Sequence, residues 1–592
     1  MPPERDVRAD PPARPPRGPT VRSVTDDGDT DEHDAGLDAG AHPRLSAGQV
    51  AHVRRYGTVE DVDPDVVLYR RGDRAFDFFL VLHGAIEVRQ EPGAATPEVV
   101  TVYRDGQFTG ELALLNGQGS LVGTVTVAPT RVVRLRRAQL RRAMADEPEL
   151  GRVVLGAFQA RRLGYIARAQ GTVVVAGPPA DPATLALLRF LQRNDQPTRV
   201  LDPAATGAAA ELAALGVDRS ARMPVVVHRR GEYLEAPTIG AVAERIGLDE
   251  PLDDLGVADV AVVGAGPAGL AAAVYAASEG LATVVLEREA PGGQAGRSSL
   301  IENYPGFPLG LSGHELARSA QVQAHKFGAR IVLPRRVARL DCSGSPFVLH
   351  LADGDVVAAR TVVVATGAHY RRPDLPELDR FEGAGVHYAA SALEAALCAG
   401  EEAVVVGGAN SAGQAAMYLS RHAAHVHVLV RGPGLSAGMS EYLSRRLEAS
   451  EDVTVHPCTE ITALEGDRRL ERVRVTDRRT GSSTTITTAA VFLMVGGEPN
   501  TGWLQGCLEL DDHGFVRVGP AVARTADGSP ADPFATSVPG VFAVGDVRAG
   551  SVKRVASAVG DGAVVVSAVH RHLTDSAGTP PASSRTSRGT AG

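Results

Sequence analysis

Two glycine-rich turns hold the residues that are best suited to chemistry. The first contains Gly264, Gly266 and Gly269 with the spacing G-x-G-x-x-G, between an apolar strand and a helix. The first glycine permits a tight turn, the second lets a pyrophosphate approach the backbone, and the third lets helix and strand pack closely. Glu287 ends the next strand, 23 residues after Gly264, where a carboxylate can hold the ribose hydroxyls of an adenosine. This turn predicts a dinucleotide site.

The second turn belongs to a similar strand–turn–helix unit, and its residues are Gly407, Gly408, Asn410, Ser411 and Ala412. The same spacing of 23 residues from Gly407 reaches the uncharged Val430, and Arg431 follows it. A cation without a carboxylate at this strand end favours the 2′-phosphate of NADPH over NADH. Ala409 replaces the middle glycine, and its methyl group can crowd a pyrophosphate, so NADH binding and a degenerate site stay open as alternatives.

Two further stretches complete the pattern. Thr366 and Gly367 end a strand where the chain passes between the two units, and Gly545 and Asp546 lie between a strand and a helix. An aspartate in that position can accept a hydrogen bond from a ribityl hydroxyl of a flavin. The N-terminus of the helix that follows can face the flavin ring or its phosphate. These stretches indicate FAD in the first unit.

From about 257 to 573 the chain resembles the low-molecular-weight bacterial thioredoxin reductases. The shared motifs occur in the same order: "GAGPAG", "PGGQ" at 291–294, "ENYPGFP" at 302–308, "ATGA", "GGEPN" at 496–500 and "GVFAVGD". The resemblance implies an FAD-binding domain in two pieces, 257–376 and 495–575, with an NADPH-binding domain at 377–494 between them. It also implies hydride transfer from nicotinamide to flavin and, by analogy, a homodimer.

The resemblance further implies which residues hold FAD. Matched motif by motif, they are Gly264, Gly266, Pro267, Ala268, Gly269, Glu287, Gly293, Gln294, Asn303, Thr366, Gly367, Gly545, Asp546, Lys553, Arg554, Val555 and Ala556.

The chain departs from these reductases at the redox-active cysteines. The family carries a CATC segment after a Gly-Val pair, but both cysteine positions are alanine here, Ala389 and Ala392. A thiolate is needed to take electrons from the flavin and to pass them on by exchange, and alanine can do neither. His387 and Tyr388 are expected at the flavin face, where they can stack on the ring, relay a proton or simply fill the volume that the cysteines leave.

Three hypotheses describe where the electrons go. In the first, reduced FAD passes them directly to an unidentified acceptor, such as a ferredoxin-like protein, a quinone or oxygen. In the second, the protein is a sensor whose flavin redox state acts through an N-terminal regulatory domain. In the third, an external dithiol, docked on the chain, restores disulfide reduction. The intact cofactor motifs and the missing thiols favour the first.

Residues 43–168 resemble the cyclic-nucleotide-binding β-roll, whose phosphate cassette is matched here by Gly110, Glu111 and Thr124. In that family backbone N–H groups hold the phosphate and the glutamate binds a ribose hydroxyl. The family's phosphate-binding arginine should fall near Ser120, but no arginine lies there. Because burying a phosphodiester without a cation is costly, cyclic-nucleotide binding is doubtful.

Residues 170–250 read as strands and helices in the order β-α-β-α-β-β-α, which resembles thioredoxin and glutaredoxin domains. Met223-Pro224 stands where that fold has its cis-proline, but the CxxC after the first strand is replaced by Gly-Pro-Pro at 177–179. A docking or spacer role remains. The predicted fold class is therefore multidomain, with a β-roll, a thioredoxin-like α/β unit and two Rossmann-type three-layer α/β dinucleotide-binding domains.

Composition limits the partners and the location. The net charge of −9 disfavours nucleic acid, no apolar run is long enough for a membrane span, and the N-terminus lacks the apolar core of a secretory signal. A cytoplasmic bacterial protein is predicted. The four cysteines show no CxxC or metal-ligand spacing, so we expect idle thiols and no metal site. The polar segments 1–42 and 576–592 are predicted to be disordered.

Overall fold

A computed structural model of the chain describes residues 40–577 apart from 91–97, 169–172, 230, 299, 436–437, 468 and 523–531. The segments predicted to be disordered lie almost wholly outside these residues. Their inner edges need a correction. Ala41 is buried and its carbonyl accepts a hydrogen bond from Arg161 Nε at 2.8 Å, and the last helix continues through Ala577.

The N-terminal unit is a β-roll, as predicted. Its elements are α1 (Ala47–Tyr56), β1 (Thr58–Val62), β2 (Val67–Tyr69), β3 (Phe78–His83), β4 (Ile86–Gln90), β5 (Glu98–Tyr103), α2 (Ala113–Asn116), β6 (Gly123–Thr126), β7 (Thr130–Leu135), α3 (Arg137–Asp146) and α4 (Pro148–Ala167). The strands form two antiparallel sheets, β1-β7-β3 and β2-β6-β4-β5. Helix α4 completes their shared apolar core with Phe158, which meets Phe108 edge-on.

The thioredoxin-like unit follows the predicted element order. It consists of β8 (Val173–Ala176), α5 (Pro182–Arg193), β9 (Thr198–Leu201), α6 (Ala208–Ala214), β10 (Val225–Arg229), β11 (Glu232–Glu235) and α7 (Ile239–Arg245), with the sheet order β11-β10-β8-β9. Asp181 caps α5 by accepting the Thr184 N–H at 2.8 Å, and the Met223–Pro224 peptide is cis. The assignment to thioredoxin-like domains stays a prediction.

The first dinucleotide-binding domain begins with a parallel sheet. Its elements are β12 (Val257–Val263), α8 (Pro267–Ser278), β13 (Thr283–Leu286), α9 (Gly313–Phe327), β14 (Arg330–Val332), β15 (Val337–Asp341), β16 (Phe347–Leu351) and β17 (Val356–Val364). Strands β14, β13, β12 and β17 are parallel, whereas β15, β16 and β17 form an antiparallel meander on the same sheet.

The second dinucleotide-binding domain is inserted after β18 (Ala368–Tyr370). It comprises α10 (Leu378–Phe381), β19 (Val386–His387), α11 (Ala392–Leu397), β20 (Glu402–Val406), α12 (Asn410–Leu419), β21 (His425–Val430), α13 (Glu441–Glu448), β22 (Val453–Pro457), β23 (Thr459–Gly466), β24 (Leu470–Asp477), β25 (Ser483–Thr487) and β26 (Ala490–Leu493). Its main sheet, β19-β26-β20-β21-β22, is entirely parallel.

The chain then returns to the first domain. Strand β27 (Gly497–Pro499) pairs with β18 as a two-stranded link between the domains, β28 (Val541–Ala543) joins the first sheet beside β17, and α14 (Val555–Ala577) packs against α8. Within the described residues, no helix is both long and apolar enough to cross a membrane.

The units share apolar cores. Leu187, Phe190 and Leu191 of α5 lie in one buried cluster with the α8 and α14 side of the first dinucleotide-binding domain. Val322 of α9 is buried in the core of the β-roll. Because such clusters cross the unit boundaries, the thioredoxin-like unit and the β-roll pack directly on the first dinucleotide-binding domain.

Cys342 and Cys507 form a disulfide, with their Cα atoms 6.1 Å apart. The prediction of idle thiols is therefore wrong for these two residues. They come together because β15 and the segment after β27 pack on the same face of the first sheet, where Leu340 and Leu504 are buried in one cluster. A sequence separation of 165 residues carries no pairing signal. Cys398 and Cys458, the other two cysteines, are free.

The disulfide predicts the number of reactive thiols. Protein purified and unfolded without reductant should react with two equivalents of a thiol reagent, from Cys398 and Cys458, and with four after reduction. Cys342→Ser should release Cys507 and raise the count before reduction to three. Alkylation followed by mass spectrometry gives these numbers. Four reactive thiols before reduction would contradict the disulfide.

Candidate functional site

The first glycine-rich turn has the geometry that a bound pyrophosphate requires. Gly264 has a φ of +103°, and a Cβ there would lie 2.5 Å from the Ala365 carbonyl oxygen. A Cβ at Gly269 would lie 1.9 Å from the Gly264 oxygen, so any side chain would separate helix α8 from the turn. At Gly266 the nearest atom to a Cβ would be 3.9 Å away. The turn therefore leaves open space at the one glycine that a pyrophosphate approaches.

Glu287 lies at the end of β13, where it was predicted. Its Oε2 accepts the Ala265 N–H at 2.8 Å, and its Oε1 accepts the Glu289 N–H at 2.9 Å. These bonds fix the carboxylate beside the turn, and each oxygen keeps a lone pair for a ribose hydroxyl.

The segment 291–294 packs onto this turn. The Gly292 N–H donates to the Ala265 oxygen at 2.8 Å, and Gly293 has a φ of +54°. Gln294 Nε2 donates to the Ala368 oxygen at 3.3 Å, whereas its buried Oε1 has no partner among the described residues. A buried amide oxygen without a partner fits a site that a ligand completes.

Thr366 and Gly367 lie where the chain leaves the first domain. The Thr366 hydroxyl donates to the Asn500 carbonyl at 2.9 Å, and Asn500 Nδ2 donates to the Thr366 carbonyl at 2.8 Å. Gly367 has a φ of +61°. Asn303, by contrast, is exposed in the loop before α9.

The Gly545–Asp546 turn precedes α14, whose first residues, Val555 and Ala556, follow Arg554. Burial raises the pKa of Asp546, and Lys553 opposes that shift; the Lys553 ammonium donates to the Asp546 carbonyl at 2.5 Å. A residue that sequence reasoning missed holds this turn. Asp561 Oδ2 accepts the Gly545 N–H at 3.0 Å and pairs with Arg548 at 2.6 Å. An acid within the apolar first half of helix α14 was the available signal.

The second turn is also built around a residue that must be glycine. Gly407 has a φ of +146°, and a Cβ there would lie 2.5 Å from the Met494 oxygen. Ala409 is exposed at the N-cap of α12, and Ser411 and Ala412 lie in the first turn of that helix. Asn410 instead uses its Oδ1 to accept the Ser440 N–H at 2.7 Å.

Arg431 is exposed directly after β21, and among the described residues its side chain has no hydrogen-bond or ion-pair partner. Gly408 lies beside the same strand end, since a Cβ on it would be 3.0 Å from Val430 Cγ1. A free guanidinium at the edge of this turn can receive a phosphate.

The nucleotide-binding end of the second domain faces the first domain. Burial raises the pKa of Tyr370 on β18, and a hydrogen bond with Ser411 opposes that shift. Arg297 and Asp546 of the first domain act on the same hydroxyl. Nearby, Arg446 of α13 pairs with Glu302 at 3.1 Å. Both glycine-rich turns therefore open toward the same interdomain space.

The segment that replaces the redox cysteines faces the thioredoxin-like unit instead. Arg189 of α5 pairs with Glu394 at 2.7 Å, and its Nη2 donates to His387 Nδ1 at 3.4 Å. Burial lowers the pKa of His387 to about 4, so the ring is neutral at pH 7. His387 is 3% exposed and packs on Phe492. In this arrangement Arg189 of α5 lies beside His387, and the expected position of His387 at the flavin face stays a prediction.

Tyr388 and the two alanines give no group that could carry electrons. The Tyr388 hydroxyl donates to Glu382 at 2.5 Å, and burial is the main cause that raises its pKa to about 12. Cys398 is buried, which raises its pKa to about 11 and keeps it a thiol. Ala389 and Ala392 carry no thiol.

The phosphate cassette of the β-roll is filled by the chain itself. Glu111, the predicted ribose ligand, pairs with Arg162 of α4 at 2.8 Å, and both side chains are at most 3% exposed. Arg161 donates to the carbonyls of Gly110 at 2.6 Å and Phe108 at 3.0 Å. Thr124 is buried on β6. Sequence reasoning missed both arginines; two adjacent charges inside a largely apolar helix were the signal.

In the described part of the chain, no three His, Cys, Asp or Glu side chains are placed to hold a metal ion. His427 lies 3.0 Å from His456 and 3.1 Å from Glu402, contacts that neighbouring strands create.

Comparison with known proteins agrees with this geometry. The sequence model of the family described as pyridine nucleotide-disulphide oxidoreductase matches residues 258–562. The model of the cyclic nucleotide-binding domain matches residues 59–147.

Individual relatives match the same half of the chain. An NADPH-dependent thioredoxin reductase of Arabidopsis thaliana is 34% identical over 54% of this chain and 59% of its own length. The thioredoxin reductase of Treponema pallidum is 34% identical over 53% of this chain and 97% of its own. The crystal structure of the Lactococcus lactis thioredoxin reductase in its FR conformation covers 54% of this chain and 99% of its own, with 28% identity and a TM-score of 0.50.

The residues matched by the oxidoreductase family model, 258–562, thus span most of the two dinucleotide-binding domains, whose glycine-rich turns and interdomain link are described above. The chain belongs to the pyridine nucleotide-disulphide oxidoreductase family, with a thioredoxin-reductase-like half and a cyclic nucleotide-binding domain before it.

Proposed function

We propose that this protein is an FAD-dependent NADPH oxidoreductase that passes electrons from the flavin directly to an acceptor outside the chain. The observation that carries the proposal is the orientation of the second domain. Its glycine-rich turn opens toward the first turn, whereas the former cysteine segment contacts Arg189 of α5 through Glu394 and His387. Electrons that enter the first domain in this arrangement have no internal thiol to reach at Ala389 or Ala392.

The residues of the first turn fit FAD. Gly266 leaves room for the pyrophosphate, Glu287 is fixed for the adenosine ribose, and the free Gln294 Oε1 offers an acceptor near the Thr366–Gly367 crossing. When bound, the flavin would accept a hydride from nicotinamide. The role of the chain is to bind, to orient and to exclude water.

The second turn fits NADPH better than NADH. The unpartnered Arg431 supplies a cation for a 2′-phosphate, and no carboxylate stands beside it to hold a free ribose. The exposed position of Ala409 reduces the crowding expected from its methyl group, because the methyl does not fill a closed turn.

The relatives named as thioredoxin reductases suggest a disulfide substrate as the alternative. For this chain that would require external cysteines or the Cys342–Cys507 disulfide. The flavin-linked sensor is a second alternative. The contact between α5 and the former cysteine segment supports a sensor role that accompanies the oxidoreductase activity and does not replace it. A homodimer, a cytoplasmic location and the domain boundaries given above remain predictions.

An anaerobic titration of the FAD-loaded protein with NADPH tests the proposal. The flavin absorbance should bleach with about one equivalent, because only the flavin accepts an electron pair. The Cys342→Ser/Cys507→Ser double variant should behave identically. Two equivalents in the native chain but one in the double variant would assign the second pair to the disulfide and contradict direct transfer. No bleaching at all would contradict the NADPH site.

Arg431 should decide the choice of nucleotide. In Arg431→Gln the second-order rate of flavin bleaching by NADPH should fall about 10- to 100-fold, the loss expected for a charge-assisted hydrogen bond to phosphate. The rate with NADH should stay unchanged. Stopped-flow absorbance measures both without any acceptor. Arg421→Gln, an exposed arginine of the same domain, is the matched control; equal losses in the two variants would refute the assignment.

We also propose that the β-roll does not bind a cyclic nucleotide. The Glu111 carboxylate is already paired with Arg162, and the cassette carbonyls already accept hydrogen bonds from Arg161. Glu111→Gln should destabilise the β-roll by about 3–5 kcal/mol, since it leaves Arg162 buried without a partner. The double variant Glu111→Gln/Arg162→Met should recover much of that loss. Hydrogen exchange of the β-roll amides measures the effect locally.

The exposed pair Arg152–Glu149 on the same helix, at 2.7 Å, supplies the control. Glu149→Gln should cost at most about 1 kcal/mol. Saturable protection of the native β-roll by cyclic AMP or cyclic GMP would overturn the proposal.

A further inference from the structure

A cleft lies where the β-roll, the thioredoxin-like unit and the first dinucleotide-binding domain meet. Its water-accessible volume is about 30 Å³, and the cleft is open to solvent. The β-roll contributes the α2 region and Arg162, the thioredoxin-like unit contributes Asn194 and Asp195, and α9 contributes Arg318 and neighbouring residues. The proposed oxidoreductase function makes no use of this cleft.

Two buried polar atoms of the cleft residues have no partner among the described residues. Asn194 is 7% exposed; its Nδ2 donates to the Phe190 oxygen at 2.8 Å and to the Glu289 oxygen at 3.1 Å, which fixes the amide and leaves Oδ1 without a donor. Arg162 is 3% exposed, and its Nε has no acceptor. Because buried polar groups are almost always paired, both atoms point to a partner from outside the chain.

The cleft also holds a cation with nothing to neutralise it. Arg318 lies on α9, on the same helix face as Gln321, and neither side chain has a hydrogen-bond or ion-pair partner in the described part of the chain. The other charges are paired: Arg162 with Glu111 at 2.8 Å, and Asp195 with His314 at 2.7 Å. The remaining charge favours an anion.

We propose that this cleft binds inorganic phosphate. The ligand must accept hydrogen bonds from the guanidinium groups of Arg318 and Arg162, and it must donate one to Asn194 Oδ1. A phosphate that retains a P–OH group at neutral pH does both, and guanidinium groups are strong partners of phosphate oxygens. Sulfate and a cyclic phosphodiester carry the negative charge but lack the donor.

The position of the cleft gives the bound anion a structural consequence. Asn194 bonds to the backbone of Glu289, whose carboxylate pairs with Arg193 of α5 at 2.9 Å beside the 291–294 segment. On the β-roll side of the cleft, Arg162 pairs with Glu111 of the phosphate cassette. Phosphate at this point would contact residues of all three units.

Isothermal titration of the full-length, FAD-loaded protein with inorganic phosphate in a phosphate-free buffer tests the proposal. We expect one saturable site that sulfate fills at least about tenfold more weakly. Arg318→Gln should weaken phosphate binding about tenfold or more, a change of about 1.4 kcal/mol. Because Arg318 is only half-buried and has no partner, this variant should fold normally, which its melting temperature checks.

Two matched variants locate the binding. Arg336→Gln removes an exposed arginine of the same domain and should change nothing. Arg431→Gln removes the cation of the proposed NADPH turn and should also leave the affinity intact. Phosphate binding that falls in Arg431→Gln but not in Arg318→Gln would place the anion at the nucleotide turn and overturn the proposal. No saturable binding, or equal affinity for sulfate, which indicates an adventitious ion only, would overturn it as well.

Discussion

The apolar cluster that α5 shares with the first dinucleotide-binding domain determines how the units of this chain are arranged. Leu187, Phe190 and Leu191 are buried in one apolar cluster with residues of that domain, and this burial holds the thioredoxin-like unit in place. With α5 held in this position, its polar side chains form ion pairs with both dinucleotide-binding domains. Arg193 reaches Glu289 beside the flavin segment, and Arg189 reaches Glu394 in the second domain.

This packing also explains why losing the redox cysteines is compatible with a stable fold. Ala389 is half-buried and Ala392 is exposed, while the neighbouring His387 and Glu394 are buried beside Arg189 of α5. His387, neutral and in contact with Phe492 and Arg189, behaves as a core residue. In the β-roll, too, residues predicted to contact a ligand are bound within the chain: Arg161 donates to the Gly110 carbonyl, and Arg162 pairs with Glu111.

Local patterns allowed most of the fold to be predicted. The glycines of both turns were identifiable because each one meets a steric limit within its own strand–turn–helix unit, as at Gly264 and Gly407. The cis peptide at Met223–Pro224 was expected instead from the resemblance to thioredoxin and glutaredoxin domains. Contacts between distant segments were not predictable. Arg189 and Glu394 are 205 residues apart, and no spacing rule joins them.

In the candidate site, too, local patterns predicted some residues and long-range packing determined others. The positions of Glu287 and Arg431 follow from counting residues along a strand, whereas Asp561, which holds the Gly545 turn, is defined only by the packing of α14. The environment of His387 could not be inferred either, because it is produced by Arg189, which lies in a different unit and far away in the sequence.

The Cys342–Cys507 disulfide has a topological consequence. It joins the two pieces of the first dinucleotide-binding domain across a loop of 165 residues, and the whole second domain lies within that loop. The second domain is thus part of a covalently closed loop that begins and ends in the first domain. A peptide bond cut anywhere in the second domain would leave one covalently connected molecule, and unfolding of the insert would not let the two pieces of the first domain diffuse apart.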